Sequence, residues 1–319
     1  MRILLTTYHQ AFLVRGGGEY EIQSIADDLR QMGMIADIYG PFSRPIEYYD
    51  IVLHFSMHSG GLGLLYEIAA RKKPIILWTN LWTNSPSIES INSIKEHLHL
   101  ATFVTFKSQS ELNHAANIVD IDSSKIRICR TVADASYLKK APVGLFQDIY
   151  GVDKYALGIG IIEPNKNQLS AIRATRLQEV PLILVGRYRD LDYYQKCKKE
   201  GGDNVMFIDA LPQKSEIVRS AFQSASFFIE VSLEPPGLSS LEAGLSGAKL
   251  VLSDMDWTRE HFKKYAQYVN PHSVSDIQEG MNRSLLEKKN PFVQKHLIEY
   301  CFPKSIKPLV ALFDELINK

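Results

Sequence analysis

Short apolar runs rich in β-branched residues alternate along this chain with stretches of helical period. Arg2–Thr7 reads as a strand, and Glu19–Met32 then sets Ile22, Ile25, Ala26, Leu29 and Met32 on one helical face. Ile35–Tyr39, Asp50–Phe55, Pro74–Trp78, Ala101–Phe106 and Ile126–Cys129 read as further strands, with helical spacing over Ser110–Ile118. Strands separated by helices predict a parallel sheet with right-handed crossovers. The alternation stops across Leu138–Asp153, where Lys139-Lys140-Ala141-Pro142-Val143-Gly144 carries turn residues and no sustained period. It restarts with strands at Tyr155–Ile162, Leu182–Val185, Val205–Ile208, Phe227–Val231 and Lys249–Ser253. Helices at Asn167–Leu177, Leu191–Lys199, Ser215–Ser224 and Ser239–Leu245 separate them. Ile306–Ile317 places Leu309, Leu312, Phe313 and Leu316 at helical spacing. The pattern therefore predicts an α/β fold with two such units in series, residues 1–145 and 146–302, followed by a helix in 303–319.

Composition narrows the function classes. Lys+Arg and Asp+Glu both number 36, so no bulk charge draws the chain to nucleic acid or to an anionic membrane. Three scattered cysteines, Cys129, Cys197 and Cys301, form neither a metal spacing nor a disulfide framework, which points to a reducing compartment. Met1–Thr7 does not read as a signal peptide and no apolar run is long enough to span a bilayer, so a cytoplasmic protein is expected. No metal cluster and no cofactor motif is legible, so neither is expected.

Ligands of open α/β sheets sit beyond the carboxyl ends of the strands, and three segments there carry chemistry. Arg15-Gly16-Gly17-Gly18-Glu19 precedes the first helix, where free amides favour an anion; a flexible loop ending in a helix cap fits the same residues. Glu163-Pro164-Asn165-Lys166-Asn167-Gln168 follows the strand that opens the second unit. Lys166 there adds a full charge to a helix start, which suits a diphosphate, although a solvated turn lysine would look the same. In Glu234-Pro235-Pro236-Gly237-Leu238-Ser239-Ser240-Leu241-Glu242, the Pro-Pro-Gly turn is followed by the S-x-x-E form of a capping box. This predicts a helix from Ser239, with Glu242 either closing its own cap or binding ligand hydroxyls. Glu234, at a buried strand end, lacks an evident local partner.

These segments, in this order, resemble glycosyltransferase family 4, retaining enzymes of GT-B fold. The resemblance rests on Gly16-Gly17-Gly18-Glu19, on Gly160 to Gln168, and on Glu234 and Glu242 with seven residues between them, followed by Ala243-Gly244-Leu245-Ser246-Gly247 and the strand to Ser253. Tyr268-Val269-Asn270-Pro271 also matches the family's later pattern. The resemblance implies two Rossmann-like domains facing across a cleft, with the C-terminal helix returning to the first. It also implies metal-independent, retaining transfer from a nucleoside-diphosphate sugar, UDP before GDP, to a glycan or lipid-linked acceptor in polysaccharide or glycoconjugate synthesis. A lipid-linked acceptor would bring peripheral contact with the cytoplasmic membrane face. Glu234 and Lys166 would act on the sugar and the leaving diphosphate. Gly17, Gly18, Pro236, Gly237, Leu238 and Ser239 would approach the donor phosphates, and Glu242 the ribose.

Two departures stand out. The family commonly has an Arg five or six residues before the Lys, where this chain has Ile161 and Gly160; Arg187 and Arg15 are the cations nearest in pattern. The family's His near the reacting sugar falls at Asn80, with His54 and His58 at a neighbouring strand end. Arg15, His58 and Asn80 are thus the candidates for the acceptor or sugar side, although a solvated surface Arg and a structural or merely exposed His fit the same pattern. Trp78, Trp82 and the polar stretch Thr83–Ser93 either line the acceptor side of the cleft or are core and loop, the reading the pattern favours. A GT-B-type sugar epimerase and a non-catalytic nucleotide-sugar binder would show the same motifs.

Overall fold

The structure is a computed structural model and describes residues 1–13, 16–83, 86–176, 178 and 180–317. The chain divides into two compact units, Met1–Ala133 with Glu299–Lys319, and Asp134–Ile298.

The first unit is built on strands β1 (Arg2–Thr6), β2 (Ile35–Ile38), β3 (Ile51–Phe55), β4 (Ile75–Trp78), β5 (Phe103–Phe106) and β6 (Ile126–Ile128). They form one sheet in the order β2-β1-β3-β4-β5-β6, and each pairing is parallel. Ile3 stands opposite Ile51, and Leu5 opposite Leu53. Every residue of β3, β4 and β5 is buried. Helices cover both faces of such a sheet, which is why these strands read as unbroken apolar runs and not as alternating ones. Helix Gly17–Gln31 lays Ile22, Ile25 and Leu29 on β1 and β3. Leu309, Leu312 and Phe313 of helix Lys307–Ile317 complete the same core, so the last helix of the chain returns to the first unit as expected. Trp78 is fully buried in it.

Two helices of the first unit escape the sequence pattern, as do helices Leu145–Tyr150, Asp256–Phe262, Val274–Leu286 and Phe292–Leu297 and strand Gln267–Val269 of the second. Leu62–Ala70 follows β3. Ile88–Leu100 occupies much of what read as a polar loop. Ser87 caps the latter by accepting from the Ser90 amide, and Ile94 and Leu98 bury its apolar stripe.

The second unit holds β7 (Ala156–Ile159), β8 (Leu182–Val185), β9 (Val205–Ile208), β10 (Phe227–Glu230), β11 (Leu250–Ser253) and β12 (Gln267–Val269). Its sheet is likewise parallel, in the order β12-β11-β10-β7-β8-β9. Strand order reverses between β7 and β10, which is where a doubly wound sheet opens a ligand crevice. Just past β8, Gly186 has φ +154°, and a Cβ on it would lie 1.9 Å from the Gly160 carbonyl oxygen. Only glycine permits this approach of the two strand ends.

Candidate functional site

The second unit brings its sequence-predicted residues together at the switch point. Gly158–Gly160, Lys166, Ile229, Glu230 and Val231 line one pocket there. Lys166 closes a short turn, Pro164–Lys166, and Asn167 follows at φ 55°. That left-handed position favours Gly or Asn. The Asn167 amide donates to the carbonyls of Val231 (3.0 Å) and Pro271 (2.8 Å), pinning the lysine loop to the ends of β10 and β12. The Leu233 amide donates to the Asn165 carbonyl at 2.8 Å, so the lysine and glutamate loops are held as one piece.

Glu234 finds its partner across this junction. Lys166 Nζ lies 3.1 Å from Glu234 Oε1 and 3.8 Å from Glu230 Oε1. Burial alone would lower the Lys166 pKa, but Glu230 and Glu234 outweigh it and raise it above the usual lysine value, so the ammonium is charged.

Glu230, the last residue of β10, went unnoticed in the sequence because it looks like part of a strand. It is 9% exposed and accepts hydrogen bonds from Ser240 Oγ (2.5 Å), Ser239 Oγ (3.0 Å), Ser232 Oγ (3.4 Å) and the Gly237 amide (3.4 Å). The predicted capping box is therefore corrected. The helix runs Leu238–Leu245 with Gly237 as its cap residue and no side-chain cap, because the serine hydroxyls turn to Glu230. Gly237, Leu238 and Ser239 still present the amino end of that helix, and Pro236 belongs to the turn before it.

Glu242 lies one turn into the helix and is buried. Desolvation pushes its carboxyl up to about 7, against the effect of a hydrogen bond with Tyr137. Tyr137 sits in the turn Ala135–Leu138 and is itself buried, which raises its phenol.

Arg187 lies exposed, 3.8 Å from an exposed Asp209. Arg189 is the better-held cation. It pairs with Glu163 at 2.7 Å, and its amide donates to the Ile162 carbonyl beside the pocket.

In the first unit the strand order changes direction between β1 and β3. Gly17 opens the first helix, and a Cβ there would meet nothing within 4 Å; at Gly18 it would touch Phe55 at 3.2 Å. Glu19 serves the helix start, its carboxylate accepting from the Gly16 amide (2.8 Å) and from the Tyr8 hydroxyl (3.0 Å). Arg15 lies outside the described residues. His58, after β3, accepts from the Gly60 amide at 3.1 Å and packs on the Tyr8 ring at 4.6 Å between centroids. His54 is within β3 and fully buried, with Nδ1 2.8 Å from Thr6 Oγ1. Burial, with His97 adding, lowers its pKa to about 3, so it is neutral and structural.

Asn80, after β4, is exposed but not loose. Its Oδ1 accepts from Lys107 Nζ at 2.8 Å, and Lys107 also reaches Glu21 at 3.4 Å. Glu111, fully buried, clamps the same loop by accepting from Thr79 Oγ1 (2.9 Å), the Leu81 amide (3.0 Å) and the Lys107 amide (2.7 Å). The basic run Arg71-Lys72-Lys73 is partly spoken for. Arg71 pairs with Glu67 at 2.7 Å, and Lys73 donates to the Tyr49 carbonyl at 2.6 Å. Cys129, Cys197 and Cys301 are free thiols and buried. Among the described residues no helix is long and apolar enough to cross a membrane.

Two parallel six-stranded α/β units, the second wound 3-2-1-4-5-6 with a charged pocket at its switch point, define the chain as a tandem of Rossmann-like units. Solved structures share this fold over the full length. Sucrose-phosphate synthase from Thermosynechococcus elongatus superposes with a TM-score of 0.81 at 12% identity, covering 100% of both chains. Anabaena HepE, solved in complex with UDP and glucose, gives 0.79 at 14% identity, again over 100% of each. An α,α-trehalose-phosphate synthase (UDP-forming) from Burkholderia vietnamiensis gives 0.71 at 11% identity, also over 100% of each. No protein-family model and no curated protein sequence matches the chain. At these identities the likeness is one of fold, and it agrees with the GT-B class expected from the sequence.

Proposed function

We propose that this chain is a glycosyltransferase that takes its sugar from a nucleoside diphosphate. The observation that carries the reading is the meeting of Lys166, Glu234 and the amino end of helix Leu238–Leu245 at the switch point of the second sheet. That arrangement has the parts the reaction needs. Glycosyl transfer builds positive charge on the sugar and negative charge on the departing diphosphate. Lys166 and the helix amides meet the diphosphate, Glu234 accepts from sugar hydroxyls, and Glu242 from those of the ribose. HepE binds UDP and glucose and the trehalose-phosphate synthase forms UDP, which supports UDP as the donor base, with GDP next.

The finer reading is a retaining, metal-independent transfer to a glycan or lipid-linked acceptor by a cytoplasmic protein, with membrane contact only if the acceptor is lipid-linked. His58 and Asn80, with Arg15, are assigned to the acceptor side. Tyr8 and Lys107, which hold His58 and Asn80, join them as supporting residues. Incubation with UDP-, GDP-, TDP- and ADP-sugars tests the reading. Slow release of one nucleoside diphosphate supports it, an isomerised sugar would make the chain an epimerase, and saturable binding without turnover would make it a binder.

A further inference from the structure

Lys166 is not a free cation. Glu234 lies 3.1 Å away and Glu230 3.8 Å away, so the three side chains together carry one net negative charge where a dianionic group is to bind. The nearby Glu163 is balanced by Arg189 and adds no net charge. Glu230 differs from Glu234 in how it is held. It is the more buried of the two, and three serine hydroxyls and the Gly237 amide fix it in place. A buried carboxylate with that many donors stays where it is when a ligand arrives. Its donors come from the turn and first residues of helix Leu238–Leu245, the segment whose amides face the proposed phosphates. Glu230 also lines the same pocket as Lys166 and Gly160.

We propose that Glu230 is a positioning residue that acts as a resident counter-ion to Lys166, competing with the diphosphate for the lysine and so hastening product release. The inference rests on the donor-site reading above. In the empty site Glu230 keeps Lys166 aimed and compensated. On binding, the diphosphate takes over part of the lysine's charge compensation, and after transfer Glu230, still in place at 3.8 Å, takes it back. A site with Lys166 alone would hold nucleoside diphosphate longer and turn over more slowly. No covalent step is involved.

The test is calorimetric titration of the full chain with inorganic pyrophosphate and with UDP. Glu230→Gln keeps the shape and removes the charge, and it is expected to bind both about tenfold more tightly than wild type. The same substitution in a Lys166→Met background separates competition from simple repulsion. Competition makes the gain larger when Lys166 is present, whereas repulsion makes it equal in both backgrounds. Equal gains, or wild-type affinity in a folded Glu230→Gln protein, would overturn the proposal while leaving the donor site standing. If wild type binds neither pyrophosphate nor any nucleoside diphosphate, the donor-site reading falls and takes this inference with it. Should Glu230→Gln fail to fold, Ser232→Ala with Ser240→Ala provides the check. It frees Glu230 from two donors, strengthens its hold on Lys166 and is expected to weaken pyrophosphate binding several-fold; tighter binding would contradict the mechanism.

Discussion

Glu242 offers the sharpest quantitative test, because burial sets stability and binding against each other in one carboxyl group. Its pKa stands at about 7 against an ordinary 4.5, with desolvation as the chief cause. That difference corresponds to roughly 3 kcal/mol between the two protonation states. The sign follows from the direction of the shift. Below pH 4.5 the folded and unfolded chains both hold the proton, and the group adds its full stability. As pH rises from 4.5 through 7 the unfolded chain releases the proton first, and that stability is lost. Glu242→Gln keeps a polar group near Tyr137 without a charge. It is expected to match wild type at pH 4.5 and to be more stable by up to about 3 kcal/mol at pH 8.5. Urea unfolding at both pH values, with hydrogen exchange of the Leu238–Leu245 peptide to report on the second unit, measures this. An equal offset at the two pH values would refute the assignment. Function runs the other way, since ribose hydroxyls donate best to the ionised carboxylate. Donor KM is therefore expected to fall as pH rises from 6 to 8 in wild type and to be high and flat in Glu242→Gln. The burial that costs stability above neutrality would be kept for the ligand.

Other outcomes follow from other parts of the structure. Gly186→Ala forces a Cβ onto the Gly160 carbonyl at 1.9 Å and should destabilise the second unit by roughly 3–5 kcal/mol, read as a lowered urea midpoint. Lys166→Met should lower kcat by about tenfold to a thousandfold with the fold intact by circular dichroism. Glu234→Ala, assayed for donor hydrolysis and transfer together, should lower both; unchanged rates would remove Glu234 from the site. Glu111→Ala leaves the buried Leu81 amide without its acceptor and should cost the first unit roughly 2–4 kcal/mol in urea unfolding.

Much of the scaffold was legible because a parallel sheet covered on both faces writes each strand as a solid apolar run. The apolar runs Leu182–Val185 and Val205–Ile208 coincide with β8 and β9. Helix Ile88–Leu100 is announced by Ser87 and the spacing of Ile88, Ile91, Ile94 and Leu98, but its other residues are polar enough to read as loop. The lysine and glutamate loops were legible as motifs, and their meeting was not. Lys166 and Glu234 are joined by the reversal of strand order at β7 and β10, a fact of topology and not of local spacing. The capping-box error has the same origin. Ser-x-x-Glu is a local rule, and Glu230, nine and ten residues upstream of the two serines, outcompetes it from the end of the strand. Arg189 and Lys107 were missed because nothing near them in sequence names their partners, Glu163 and Asn80.

The return of helix Lys307–Ile317 to the first unit also bears on how the protein is made. Ile306, Leu309, Leu312 and Phe313 share a core with Ile3, Ile22 and Leu53. The first unit is thus begun first and sealed last, with the whole of Asp134–Ile298 synthesised in between. At ordinary translation rates the interval between Ala133 and Phe313 is roughly 9–36 s. For that time the nascent first unit exposes the apolar groove that the last helix fills, and the strands of the second unit are completed before the groove is filled. The half begun first is therefore the half most in need of a chaperone, and a chain cut short before Ile306 would leave the first unit unsealed.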